Sequence, residues 1–186
     1  MMLMHDATIV NLNIQDTDNT GDLECLVTKH FPIKAKTGNL MDFQQFPTNA
    51  DVIIGGGMLL KRINQYNILD HFAGIKIGWG LGHKTKESYA DLPFIKQFDL
   101  LGVRDYGIGL EYVPCPSCMS TEFDNAPGPT QSCVYYQNIA YPLFPTNPLN
   151  KCMASPLLGN NRPLPEVIKY LASGETIISS SYHGVY

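Results

Sequence analysis

The stretch that most constrains the fold is residues 51–60, where a short apolar run leads directly into three glycines. Residues 52–54 are Val-Ile-Ile without polar alternation, which is typical of a strand buried on both faces of a parallel sheet. Gly55, Gly56 and Gly57 follow, and Met-Leu-Leu then begins a helical pattern. Glycine suits such a turn because the backbone there either approaches another group closely or takes a positive φ. The sequence therefore predicts a βα unit, and ligands of α/β sheets bind at the carboxyl ends of such strands.

Strand-like and helical patterns alternate on both sides of this unit. The apolar runs predict further strands at residues 7–14, 74–79, 98–103 and 111–113, and helical spacing predicts helices at 23–30, 58–72 and 87–97. Residues 34–49 fit either a short helix or a strand. The alternation predicts an α/β fold with a mostly parallel, doubly wound, Rossmann-like sheet.

A change of composition separates a second segment from the first. Residues 124–130 are rich in Pro, Gly, Asn and Asp, as linkers are. We therefore predict a Rossmann-like domain over 1–128 and the start of a second one over 131–186. In that second part, strands are predicted at 132–137 and 176–179 and a helix at 163–173, whereas 138–162 receives no regular structure. Two strands and one helix cannot close a core, so we expect this domain to be incomplete or to pack on the first sheet.

Composition excludes several classes of function. The chain has 186 residues, a formal net charge of −4 and no run of Lys or Arg, which argues against a nucleic-acid surface. No apolar run is long enough for a membrane span, and the N-terminus lacks the pattern of a signal peptide. Five cysteines without a framework spacing predict a reduced, cytoplasmic protein.

Five polar loops follow predicted strands, at residues 19–22, 55–57, 80–83, 104–105 and 180–184. Because the carboxyl ends of parallel strands meet at one edge of a sheet, we expect these loops to form a ligand edge. Glycine loops and helix N-termini present N–H groups and partial positive charge, which suits an anion. Arg104 would add a fixed fork of donors, and His183 would add a titratable donor.

Each loop also has a purely structural interpretation. The three glycines match neither GxGxxG nor a Walker A sequence, and alone they more often form a tight turn. Arg104 and Asp105 fit a local ion pair or a helix cap, and His83 fits an exposed loop histidine. His183 differs from these because serines and a glycine flank it after an apolar strand, so we expect it to be functional.

Cys115 and Cys118 form a CxxC motif without a second one. A structural zinc site needs four ligands, and a redox CxxC normally opens a helix after the first strand of a thioredoxin-like unit. Cys133, Cys152 or His83 could complete a zinc site, but nothing in the sequence requires it. We therefore predict a plain loop and no bound metal.

Several motifs occur in an order that resembles one enzyme family. They are Asn19-x-Gly21-Asp22, the Asp-Val-Ile-Ile-Gly-Gly-Gly-Met-Leu run that starts at residue 51, Gly-Trp-Gly-Leu-Gly at 78–82, Val-Arg-Asp at 103–105 and Ile-Ser-Ser-Ser-Tyr-His-Gly at 178–184. Together they are similar to the polysaccharide pyruvyl transferase family. The resemblance implies two Rossmann-like domains that face each other across a cleft, as in GT-B glycosyltransferases. Members continue beyond the His-Gly pair, so the resemblance implies that this chain is truncated at its C-terminus and that activity needs the continuation.

The resemblance also implies a reaction and a site. The family transfers the enolpyruvyl unit of phosphoenolpyruvate to sugar hydroxyls as a cyclic ketal, in exopolysaccharide or cell-wall synthesis. It implies no cofactor besides this donor substrate, and it implies a saccharide acceptor; a second copy of the chain is a candidate partner. His183 would be the catalytic residue. The substrate-binding residues would be Asn19, Gly21, Asp22, Gly55, Gly56, Gly57, Gly80, Gly82, Arg104, Ser180, Ser181 and Gly184.

Two alternatives stay open. The same architecture would serve a GT-B glycosyltransferase that uses a nucleotide-sugar, and donor-binding assays separate the two. The second alternative is a non-catalytic remnant that binds carbohydrate or an anion. An intact cleft without turnover would favour it.

Overall fold

A computed structural model describes residues 8–83, 92–139 and 157–184. The chain forms two compact units. The first unit takes the chain up to Thr17 and from Asp22 to Met119, and the second takes Asp18–Gly21 and the chain from Ser120 onward. Within the described residues, no helix has the length and apolar character needed to cross a membrane.

The first unit is built on a five-stranded parallel sheet with the order β2-β1-β3-β4-β5. The strands are β1 (Ile9–Asn13), β2 (Lys36–Asn39), β3 (Asp51–Gly55), β4 (Lys76–Leu81) and β5 (Leu100–Val103). The prediction of a parallel sheet is confirmed. Residues 34–49, which fit either a short helix or a strand by sequence, contain strand β2. Because the chain leaves β1 toward β2 on one side and returns to β3 on the other, the strand order reverses between β1 and β3. Ligands of open α/β sheets bind at such a switch point.

The helices of the first unit are shorter than predicted. They are α1 (Thr20–Leu23, which spans the boundary of the units), α2 (Val27–His30), α3 (Leu60–Gln65) and α4 (Ile68–His71), with 3₁₀ helices at Leu40–Gln45, Pro93–Gln97 and Pro116–Met119. The single helix predicted over 23–30 is wrong, because Leu26 is extended between α1 and α2. The single helix over 58–72 is also wrong, because Asn67 takes a left-handed conformation with φ +49°. Of the helix predicted at 87–97, the structure gives the 3₁₀ helix, and residues 84–91 lie outside the described part.

The strand predicted at 111–113 is wrong. Tyr112 forms one isolated parallel bridge with Val103. The Val103 N–H donates to the Glu111 carbonyl at 2.8 Å, and the Val113 N–H donates to the Val103 carbonyl at 2.8 Å. Pro114 follows and has no N–H to extend such a ladder. The segment therefore lies along the end of β5 without forming a strand.

Val10, Leu12, Val52 and Ile54 are fully buried in the core on one face of the first unit's sheet, since they alternate along β1 and β3 and lie side by side in the pairing. Two buried side chains in β1, Asn11 and Asn13, are polar. The Asn11 amide donates to the Ile53 carbonyl at 3.0 Å, and its oxygen accepts the Thr28 N–H at 3.0 Å. This side chain therefore ties α2 to the two central strands.

The second unit has a three-stranded parallel sheet with the order β7-β6-β8. Its elements are a 3₁₀ helix at Thr121–Asn125, β6 (Gln131–Gln137), β7 (Leu157–Gly159), α5 (Leu164–Ala172) and β8 (Gly174–Ser179), followed by a 3₁₀ helix at Tyr182–Gly184. Strands β6 and β8 and helix α5 match the prediction. Strand β7 falls in the segment to which the sequence assigned no structure.

Strand β8 is exposed, although its apolar sequence predicts a buried strand. Ile177 is 42% exposed and Ile178 is 39% exposed. Among the described strands β8 pairs with β6 alone, so it is an edge of this sheet. Ile177 and Ile178 therefore leave apolar surface exposed on this strand among the described residues.

Candidate functional site

The glycine turn after β3 lies at the switch point of the first unit's sheet. Gly56 and Gly57 have φ of +42° and +77°, which explains why this turn needs glycine. The Gly56 N–H donates to the Trp79 carbonyl at 2.7 Å, and the Gly82 N–H donates to the Gly57 carbonyl at 2.8 Å. These two N–H groups therefore hold the loops after β3 and β4 together and are not directed at a ligand.

Two buried thiols pack against this turn. The Sγ atoms of Cys25 and Cys115 are 3.2 Å apart, and both side chains are almost completely buried. A Cβ on Gly56 would lie 2.6 Å from the Cys25 Cβ and 2.7 Å from the Cys115 Sγ. Glycine is therefore required at position 56 by close approach as well as by its φ.

The surroundings of Cys25 and Cys118 favour the neutral thiol in both residues. The hydrogen bond to Cys115, and then burial, raise the pKa of the Cys25 thiol. The pKa of the Cys118 thiol is also raised, mainly by burial and then by its electrostatic interaction with Cys115.

The role of Cys25 could not be predicted from the sequence, because a lone cysteine carries no local signal and its partner is 90 residues away.

The turns after β4 and β5 pack on each other. Gly80, with φ +60°, lies against the backbone of Pro114 and Cys115, and a Cβ on Gly82 would lie 2.6 Å from the Arg104 Nε. Arg104 is 4% exposed, so its guanidinium is a buried cation at this edge of the sheet.

Asp105, through its side chain, and Asp22, through its main-chain carbonyl, accept hydrogen bonds at this edge of the sheet. Asp105 accepts a hydrogen bond from the His83 N–H at 3.3 Å, which links the turns after β4 and β5. The Asp22 carbonyl accepts from the Asn13 side chain at 3.0 Å and from the Cys25 N–H at 3.2 Å. Both acidic residues therefore take part in the geometry of the edge.

The second unit brings Gly21 and His183 together. The two residues are far apart in the sequence, yet a Cβ on Gly21 would lie 2.6 Å from Cε1 and 2.7 Å from Cγ of the His183 ring. The Gly21 N–H donates to the Asn19 side chain at 3.1 Å. Any residue larger than glycine at position 21 would displace the imidazole.

The loop that carries Gly21 is attached to the second unit through its neighbour. The Thr20 N–H donates to the Asn160 carbonyl at 2.8 Å, and the Thr20 hydroxyl donates to the Arg162 carbonyl. Both partners follow β7, a strand that the sequence analysis did not find.

The serines after β8 shape the turn that presents His183. The Ser179 hydroxyl accepts the Ser181 N–H and donates to the Ser181 carbonyl, each at 2.9 Å. The Ser180 hydroxyl accepts the Asn138 N–H at 3.0 Å. The Tyr182 ring then meets the His183 ring edge to face, with centroids 5.4 Å apart. These two hydroxyls thus stabilise the turn.

The predicted site residues fall into two groups. Asp22, the glycines at 55–57, 80 and 82, and Arg104 belong to the first unit, whereas Asn19, Gly21, Ser180, Ser181, His183 and Gly184 belong to the second. The hydrogen bonds of Thr20 attach residues 19–21 to the second unit, whereas the sequence places these residues within the predicted first domain, 1–128.

No protein-family model, no curated protein and no solved structure matches this chain. Its function is therefore argued from the residues and their geometry.

Proposed function

We propose that this protein is a transferase of the polysaccharide pyruvyl transferase type, with His183 as its catalytic residue. One observation carries the proposal: Gly21 lies directly against the His183 ring. These residues come from the first and the last of the motifs on which the resemblance depends. Their association within one unit supports the idea that the two motifs serve one site.

The donor in this proposal is phosphoenolpyruvate, and its chemistry suits a histidine. Protonation of the donor's methylene carbon makes its central carbon electrophilic, and a first sugar hydroxyl adds there. The phosphate leaves with its bridging oxygen, and a second hydroxyl of the same sugar adds to give the cyclic ketal. One hydroxyl proton balances the new methyl group, and the other is carried away by phosphate. Imidazole exchanges protons near neutral pH, so His183 supplies the proton to the enol carbon or the leaving group.

The remaining assignments follow from the same proposal. Arg104, as a buried cation, is the residue of the first unit whose charge favours an anion. In this proposal each unit is one Rossmann-like domain of a GT-B-like protein. The reaction takes place in the cytoplasm, in exopolysaccharide or cell-wall synthesis, and it needs no cofactor.

Calorimetric titration with phosphoenolpyruvate tests the donor, and phosphate release in the presence of candidate saccharides tests turnover. We expect His183→Gln to lower turnover by roughly 10²–10⁴-fold, as loss of a general acid–base group does, with an unchanged melting temperature. His71→Gln is the matched control. His71 is also a partly buried histidine, its Nε2 lies 2.9 Å from the Phe46 carbonyl oxygen, and it belongs to the first unit's structure, so turnover should stay at the parent level.

Two results would contradict the proposal. If a nucleotide-sugar binds and phosphoenolpyruvate does not, the protein is a glycosyltransferase. If His183→Gln melts at a lower temperature and its folded fraction turns over at the parent rate, His183 is structural.

A further inference from the structure

Cys25 and Cys115 are buried side by side at the carboxyl edge of the first unit's sheet, and the proposed transfer reaction uses neither thiol. Their Sγ atoms are 3.2 Å apart although 90 residues separate them in the chain. We propose that these two cysteines are a modification site: they form a disulfide when the protein meets an oxidising small-molecule disulfide such as glutathione disulfide.

The sulfur atoms of Cys25 and Cys115 are already close to the distance of a disulfide bond. A disulfide has an S–S distance of about 2.05 Å, so the two sulfur atoms need to approach by only about 1 Å from their 3.2 Å separation. Gly56 faces both sulfurs and offers no side chain to block the movement. Both cysteines are in short irregular segments, one between α1 and α2 and the other just before the 3₁₀ helix Pro116–Met119. Helix α2 already packs against that 3₁₀ helix.

The chemistry is an ordinary thiol–disulfide exchange. One cysteine loses its proton and attacks a sulfur of glutathione disulfide, which forms a mixed disulfide and releases one glutathione thiolate. The second cysteine then loses its proton and attacks the protein sulfur of that mixed disulfide, which releases the second glutathione. The two protons from the cysteines end on the two glutathione thiols, and the oxidation of the protein equals the reduction of the glutathione disulfide.

Cys118 is the competing partner for Cys115. The two stand at CxxC spacing, and the Cys118 N–H donates to the Cys115 carbonyl at 3.0 Å, so both belong to one tight turn. The structure favours Cys25 because its sulfur is in hydrogen-bonding contact with the Cys115 sulfur, at 3.2 Å. A disulfide there joins the segment after β1 to the segment after β5, across the ends of β3 and β4. It therefore fixes the spacing of the whole carboxyl edge.

The test uses the full chain carrying Cys118→Ser, which removes the competing thiol and leaves the pair intact. The folded protein is treated with glutathione disulfide, the remaining thiols are alkylated, and the chain is cleaved after Lys, Arg and Glu. We expect peptide 25–29 to be joined to peptide 112–122, with a mass two hydrogens below the sum of the reduced peptides and with loss of the link on reduction. Adding Cys25→Ser to this chain should abolish the joined peptide.

The unsubstituted chain gives the decisive comparison, since there Cys118 competes. A link between 25–29 and 112–122 supports the proposal. A link confined to 112–122, recovery of both peptides in alkylated form, or a link from Cys115 to any cysteine other than Cys25 overturns it.

Discussion

Replacing Gly56 with alanine tests whether the two thiols determine the backbone at the switch point. The added Cβ would lie 2.6 Å from the Cys25 Cβ and 2.7 Å from the Cys115 Sγ, at a residue with φ +42°. A left-handed conformation costs a residue other than glycine about 1–2 kcal/mol, and overpacking a core costs about 1–3 kcal/mol. We therefore expect Gly56→Ala to lower the free energy of unfolding by roughly 2–5 kcal/mol.

Gly107→Ala separates the two contributions. Gly107 has φ +79°, but a Cβ there meets nothing within 4 Å. This variant should therefore show the conformational strain alone, about 1–2 kcal/mol. The difference between the two variants measures the crowding by the thiols.

Trp79 makes the measurement specific to the first unit. It is the chain's single tryptophan, it lies in β4, and its ring centroid is 4.9 Å from that of Phe31. Urea unfolding followed by tryptophan fluorescence therefore reports the free energy of this unit. If Gly56→Ala loses no more stability than Gly107→Ala, close packing against the thiols is not the reason for glycine at position 56.

Three further predictions follow from buried polar groups. Burial raises the pKa of Tyr136 to about 12 from its usual 10. Because the folded state favours the neutral phenol, this shift contributes about 3 kcal/mol to the free energy of unfolding below pH 10. That contribution is lost as the pH rises to 12. Phenolate absorbance should show a late-titrating component that becomes smaller in Tyr136→Phe, and a titration that this substitution leaves unchanged would refute the prediction. Asn11→Ala should cost about 2–4 kcal/mol in the fluorescence assay, since it leaves a buried N–H and a carbonyl without their amide partner, and a loss below 1 kcal/mol would count against it. Tyr170→Phe should cost about 1–2 kcal/mol by circular dichroism, because the Tyr170 hydroxyl bonds both the N–H and the carbonyl of Tyr135 at 3.2 and 3.0 Å; wild-type stability would show that water replaces these bonds.

The sequence predicted the parallel sheet of the first unit well. A continuous apolar run such as Val-Ile-Ile at 52–54 predicts a strand inside a parallel sheet, because its side chains must be buried on both faces. Glycine after such a run predicted the turns at Gly56 and Gly80, both of which have positive φ.

Helix length was predicted less well, since it depends on single residues. Asn67 ends α3 by taking a left-handed conformation, and Asn is one of few residues that do so at low cost. Apolar spacing on both sides of Asn67 continues through the break, so periodicity alone predicts one helix.

The sequence offers candidate site residues, but the fold decides which of them lie together. Residue type identified His183 and Gly21, but the partners that attach Thr20 to the second unit are backbone carbonyls of Asn160 and Arg162. Backbone carbonyls have no sequence signature. The pairing of Cys25 with Cys115 was missed for a related reason, because contact between distant segments is a property of the fold.

The buried amide of Asn11 affects the alignment of β1 with the neighbouring strand β3. Ile9, Val10, Asn11 and Leu12 pair in order with the successive residues of β3 from Asp51 onward. Slippage of β1 by one residue would turn each side chain to the opposite face of the sheet. The apolar residues on either side of Asn11 would tolerate this, since both faces are covered. The amide would not, because its donor and acceptor find the Ile53 carbonyl and the Thr28 N–H only in the observed alignment. The Asn11 amide thus specifies a strand alignment that its apolar neighbours Val10 and Leu12 leave ambiguous.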